Sequence, residues 1–72
     1  MNLIGPKVRQ IRESKDLTQE ELAARCNLLN WDITRSTLAK IESQVRKVSD
    51  EEALLLAKAL KVNVSELYKN RN

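Results

Sequence analysis

Apolar positions recur every three or four residues through most of this chain, the spacing of helices that each bury one face. Val8 and Ile11 point inward from a first helix over about Pro6 to Lys15, with Lys7, Arg9 and Lys15 outward. Proline suits a first helical turn, where its missing N–H has no partner to lose. Asp16 is expected to end this helix in a left-handed conformation, which Asp tolerates better than most residues. Thr18 and Glu21 have the spacing of a capping box, with Leu17 and Leu22 placed as a hydrophobic staple across it. Leu22, Ala23 and Cys26 form the inward stripe of the second helix, and Asn27 is its expected stop. Asn27 to Asp32 reads as a turn, and an unusually apolar one. Thr34 caps a third helix reaching about Ser43, with Leu38 and Ile41 inward, and Gln44 to Val48 is a basic connection. Ser49 and Glu52 repeat the capping box and open a helix from Asp50 to about Leu60, lined inward by Ala53, Leu56, Ala57 and Leu60. Its acidic first turn suits the positive end of the helix dipole. Lys61 to Asn63 breaks this helix, and Ser65 is expected to cap a short fifth one through Leu67 and Tyr68.

The result is an all-α reading: one compact five-helix domain over residues 1–72, its core spanning about residues 5–68. A chain of 72 residues supports one domain, and a domain of that size buries only about 60% of its unfolded surface. Stability is therefore expected to be modest. The single cysteine, Cys26, has no partner for an intramolecular bridge, which points to a reducing compartment. No stretch approaches the roughly 18 apolar residues of a membrane span, and MNLIGPKVRQ lacks the apolar core of a signal peptide. A cytoplasmic protein is expected.

Chemistry narrows the function classes further. The sequence contains no histidine. Cys26 occupies an inward helical position, and no nucleophile–base set, Gly-rich phosphate loop or metal-ligand cluster is present. An enzyme is not expected, nor a metal, a cofactor or a small-molecule substrate. Thirteen Lys and Arg against ten Asp and Glu leave a net charge of +3, a mild excess that permits a polyanionic partner without demanding one. The position of the charge is more telling. Two short helices joined by a turn raise the helix-turn-helix arrangement. DNA contact of that kind needs short polar side chains and a cation near a helix N-terminus that enters the major groove. Thr34, Arg35, Ser36 and Thr37 fill the first turn of the third helix, where Arg35 is suited to pairing with guanine. Lys40, Ser43, Gln44, Arg46 and Lys47 follow and are placed to hold the phosphate backbone. From Asp32 to Lys47 there are four cations and two anions. The strongest acidic run, Asp50 to Glu52, falls on a different helix.

LTQEELAARCN followed by ITRSTLAKIES resembles the core of the Cro/C1-type phage repressor family, also called the XRE family. The matching residues are Thr18-Gln19, Ala23, Thr34-Arg35-Ser36-Thr37 and Ile41-Glu42, and EEALLLAKALKVNVSELY resembles the later helices of that family. The likeness covers about residues 5–68. It implies a phage-repressor-like fold and sequence-specific binding of double-stranded DNA by a cytoplasmic, nucleoid-associated regulator, a repressor that reads the major groove with the third helix. It also implies that Gln19 anchors on phosphate or a base edge. Arg12, late in the first helix, and Glu42, at the end of the third, fall where the family carries a structural ion pair. By looser analogy a homodimer forms through Val64, Leu67 and Tyr68. An interaction module that keeps the fold but has lost DNA binding is the competing class.

The sequence departs from the family pattern in one main place. The usual turn between the two helices is three or four residues, and the segment Asn27 to Ile33 is about five residues longer. The added Leu28-Leu29-Asn30-Trp31-Asp32 holds the only tryptophan. Trp31 is expected to pack over the domain and close the longer turn. A dimer or partner surface made by Leu28, Leu29 and Trp31, and contact of the loop with DNA, remain the alternatives. Asp16 and Lys61 stand where glycines are common in the family.

Overall fold

In the computed structural model, which describes residues 2–69, four α-helices and a 3-10 helix surround one core. The first helix, α1, spans Gly5–Ser14, one residue earlier than the proline suggested. The reason lies upstream. Asn2 Oδ1 accepts hydrogen bonds from the amides of Ile4 (3.0 Å) and Gly5 (2.9 Å), which fixes the entry to the helix. Asp16 follows in the left-handed region at φ 57°. The second helix, α2, spans Gln19–Leu28 and opens with a complete capping box: Thr18 Oγ1 accepts from the Glu21 amide, and Glu21 Oε1 accepts from the Thr18 amide.

The C-terminal end of α2 differs from the expectation. Asn27 does not stop the helix. Its side-chain amide donates to the carbonyls of Trp31 (2.9 Å) and Ile33 (3.1 Å), satisfying loop groups from within the last helical turn. The left-handed reversal falls instead at Asn30, φ 65°. The lengthened segment therefore divides. Leu28 extends the helix and stays exposed, while Leu29 and Trp31 pack against the core and Ile33 is buried in it.

The third helix, α3, spans Arg35–Glu42, and Thr34 caps it by accepting from the Thr37 amide. The fourth, α4, spans Asp50–Leu60 behind the second capping box, Ser49 with Glu52. Lys61 ends it at φ 60°, a conformation a lysine adopts at some steric cost. The expected fifth α-helix is a 3-10 helix, Val64–Tyr68, and its cap is Asn63, not Ser65: Asn63 Oδ1 accepts from the Ser65 amide (3.1 Å). Five residues after a left-handed reversal are too few to establish a stable α-helical ladder.

Helices α1 and α2 both pack on α3 and α4, and the 3-10 helix closes the far side against α4 and α1. Val8, Leu22, Cys26, Leu38, Ile41, Leu56 and Leu60 are fully buried. Leu67 belongs to this same core at 2% exposure. That corrects the expected dimer edge at Val64, Leu67 and Tyr68: Leu67 is occupied within its own chain, and Tyr68 alone of the three is exposed. Gly5 sits where α1 meets the end of α3, and a Cβ there would collide with the Ile41 carbonyl oxygen. Among the described residues no helix is long and apolar enough to cross a membrane.

Candidate nucleic-acid interface

The first turn of α3 lies at the surface. Arg35 and Ser36 are exposed, with no hydrogen-bond partner among the described residues. Thr34 is exposed but occupied, since its hydroxyl caps the helix and also donates to Thr37 Oγ1 at 3.1 Å. Thr37 is half-buried behind it. The cap satisfies the Thr37 amide and leaves the amides of Arg35 and Ser36, at the first two positions of this eight-residue helix, without an intrahelical acceptor. Lys40 and Ser43 are exposed further along α3, where Ser43 is the C-cap and donates to the Lys40 carbonyl (3.3 Å). Lys47 is exposed in the connection that follows.

Three residues singled out from the sequence have side chains bonded to other parts of the chain. Gln19 Nε2 donates to Glu42 Oε1 at 3.0 Å, so its amide group faces the protein and not an open groove. Gln44 adopts φ 68°, and its Nε2 donates to the Asn2 carbonyl (2.8 Å). Arg46 makes a two-point contact with the Glu52 carboxylate at 3.0 and 2.9 Å. Hydrogen bonding to Arg46 holds the Glu52 carboxyl below its ordinary range, and the same bond raises the Arg46 guanidinium. Hence Arg46 is not a spare cation. The charge balance of the strip survives this correction. Glu42 is neutralised by Arg12 and Arg46 by Glu52, which leaves Arg35, Lys40 and Lys47 against Asp32 alone.

Behind the exposed strip lies a buried polar clamp. Arg12 Nε donates to Glu42 Oε2 (2.7 Å) and Arg12 Nη2 to Glu42 Oε1 (3.1 Å), a two-point pair between α1 and the last residue of α3. Its remaining nitrogen, Nη1, donates to the Leu17 carbonyl at 2.7 Å, tying in the turn before α2. The hydrogen bonds to Glu42 raise the Arg12 guanidinium above its ordinary value. Gln19 completes the set from the start of α2. One carboxylate thus fixes three helices relative to one another.

Two residues with structural weight went unrecognised in the sequence. Asn2 is buried, and besides accepting from the Ile4 and Gly5 amides it donates to the carbonyls of Ile41 (2.7 Å) and Arg46 (3.1 Å), joining the N-terminal residues to the end of α3 and the connection after it. An Asn three residues ahead of the Gly5-Pro6 helix start was the available signal. Arg25 Nη1 donates to the Ala59 carbonyl (3.1 Å), locking the ends of α2 and α4 together. Nothing local foretells that contact.

The family model described as helix-turn-helix matches residues 8–67. None of the curated proteins and none of the solved structures gives a significant match.

Proposed function

Because the chain belongs to the Cro/C1-type (XRE) helix-turn-helix family of DNA-binding transcription regulators, we propose that it is a sequence-specific repressor that reads the major groove of double-stranded DNA with α3. The observation that carries this reading is the first turn of α3. Arg35 and Ser36 stand exposed there without internal partners, at the N-terminus of a helix clamped to α1 and α2 through Glu42. Arg35 is the base-reading residue, its guanidinium suited to the O6 and N7 acceptors of guanine. Ser36 and Thr37 supply adjacent short polar contacts. Lys40, Ser43 and Lys47, with the first-turn amides of Arg35 and Ser36, hold the phosphates. Gln19, Gln44 and Arg46 act indirectly, by fixing the helices and the connection that carry those contacts. The protein works as a homodimer in the cytoplasm, on two half-sites about 34–36 Å apart or a multiple of it, because a lone module of this size covers too little DNA for tight selection.

Selecting binding sites from a random duplex pool tests the proposal. A palindromic motif should enrich with the wild-type protein. Arg35→Ala should relax the motif at one position of each half-site, and Lys47→Ala should weaken all sites alike. Absence of any enriched motif would reject sequence-specific reading and leave the fold serving protein partners alone.

A further inference from the structure

The joined C-terminal ends of α2 and α4 form a surface that DNA reading does not use. A shallow groove of about 280 Å³ lies between them, lined by Arg25, Leu28, Leu29, Lys58, Ala59 and Lys61. Leu28 stands at its edge at 85% exposure, added by the same lengthened segment that buries Ile33 and seats Trp31 against the core. Folding of this chain explains Trp31, Leu29 and Ile33. It does not explain Leu28, whose side chain contributes almost nothing to the core. The charges beside it are of one sign: three cations line the groove and no carboxylate does. None of the three has an ion-pair partner among the described residues, and Arg25 is held in place by the Ala59 carbonyl.

We propose that this groove is a docking site for an acidic segment of another protein, one that sets a large apolar side chain beside Leu28 and places carboxylates against Arg25, Lys58 and Lys61. The charges decide between occupants. A second copy docked groove to groove about a two-fold axis would gather six cations with no anion between them, which costs several kcal/mol in an interface. A copy offering a different face would make a head-to-tail contact, which grows into open chains unless the rotation closes. A phosphate backbone would satisfy the cations but leave Leu28 in water. An acidic segment with one apolar anchor satisfies both halves of the surface, in the pattern of an apolar centre and a charged rim. The inference is independent of how α3 is used.

NMR titration of the full chain with three synthetic twelve-residue peptides tests it. The first carries a central leucine flanked by aspartates and glutamates, the second replaces that leucine by serine, and the third replaces the acids by lysines. The first peptide is expected to shift the amide signals of Leu28, Leu29 and Ala59, and the other two are not. Leu28→Ser and Lys58→Glu should each weaken binding about tenfold, the loss on removing one hot-spot side chain. Both residues are exposed, and unchanged thermal melting of the variants would show that the fold is intact. Equal binding of the first two peptides would mean plain charge attraction and overturn the proposal. So would shifts spread away from the groove, shifts at these signals caused by duplex DNA, or signals that move with protein concentration alone and stop moving in Leu28→Ser.

Discussion

At Arg12 a single guanidinium closes three connections: two bonds to Glu42 on α3 and one to the Leu17 carbonyl before α2. Both partners are almost fully buried, so removing one strands a charge in the interior. Arg12→Ala is expected to lower unfolding stability by about 3–5 kcal/mol in denaturant titration. A loss under about 1 kcal/mol, the range of an exposed pair, would mean the pair does not hold the helices. Gly5→Ala probes the neighbouring contact. The added methyl meets the Ile41 carbonyl oxygen, where backbone cannot give way as a flexible side chain would, so a loss of about 1–3 kcal/mol is expected. Cys26 gives a chemical readout of the core. Burial pushes its thiol from an ordinary 9.0 to about 11. The folded protein should therefore resist alkylation at pH 8 and react once denatured. Because the folded value lies above the unfolded one, the contribution of this group is fully present below pH 9 and is lost as pH rises toward 11. Rapid alkylation of the native protein would show that the core opens there.

Among the elements, α2 shows most clearly what a sequence discloses. Its start was legible because a capping box is local: Thr18 and Glu21 are three residues apart, and their spacing alone specifies both hydrogen bonds. The same holds for Ser49 and Glu52, and for the left-handed Asp16 at the end of α1; the left-handed Lys61 stands at a position where the resembled family commonly has glycine. Its end was not legible. Asn27 has the side chain of a stop residue, yet its amide is captured by carbonyls of the loop beyond, a contact that exists only once Trp31 has folded back. The same limit applies to Asn2, whose partners lie about forty positions away on α3 and the connection after it, and to Gln44 and Arg46, whose side chains bond to the Asn2 carbonyl and to Glu52. In the first turn of α3 the exposure of Arg35 and Ser36 follows from a capped helix start, which fixes the side chains that face outward, whereas the half-burial of Thr37 behind the cap does not. The two halves of the lengthened segment should separate experimentally. Trp31→Ala is expected to lose about 1–3 kcal/mol by uncovering the core. Leu28→Ser should stay within about 0.5 kcal/mol of wild type, as surface changes do. Equal losses in thermal or denaturant unfolding would contradict the division of this loop into a packed half and a presented half.

For the molecule as a whole, acid stability follows from carboxylates bound within the fold: Glu21 in its capping box, Glu52 by Arg46 and its capping box, and Glu66 by Lys69. Glu21 is held below its ordinary value by the Thr18 amide and hydroxyl, and Glu52 by Arg46 and by Ser49. Lowered folded values mean that this stabilisation is present above the ordinary carboxylate value of 4.5 and is lost as pH falls through the lower folded values. Melting temperature should therefore drop below that pH, and less steeply in Arg46→Ala, which lacks the first cause of the Glu52 shift. An identical acid limb in both proteins would remove Glu52 from the explanation. The clamp at Glu42, the caps and the core together hold α3 with Arg35 and Ser36 outward, and base reading by that turn is the function proposed for it. Its most direct test is the affinity of wild type and Arg35→Ala for the selected duplex and for a scrambled duplex of equal length, at two salt concentrations. Arg35→Ala is expected to lose about 1–3 kcal/mol on the selected duplex, the worth of one bidentate base contact, with a much smaller loss on the scrambled one, while both affinities of both proteins fall with salt. Equal losses on the two duplexes would make Arg35 a phosphate contact only, and no loss on either would place DNA recognition elsewhere than the first turn of α3.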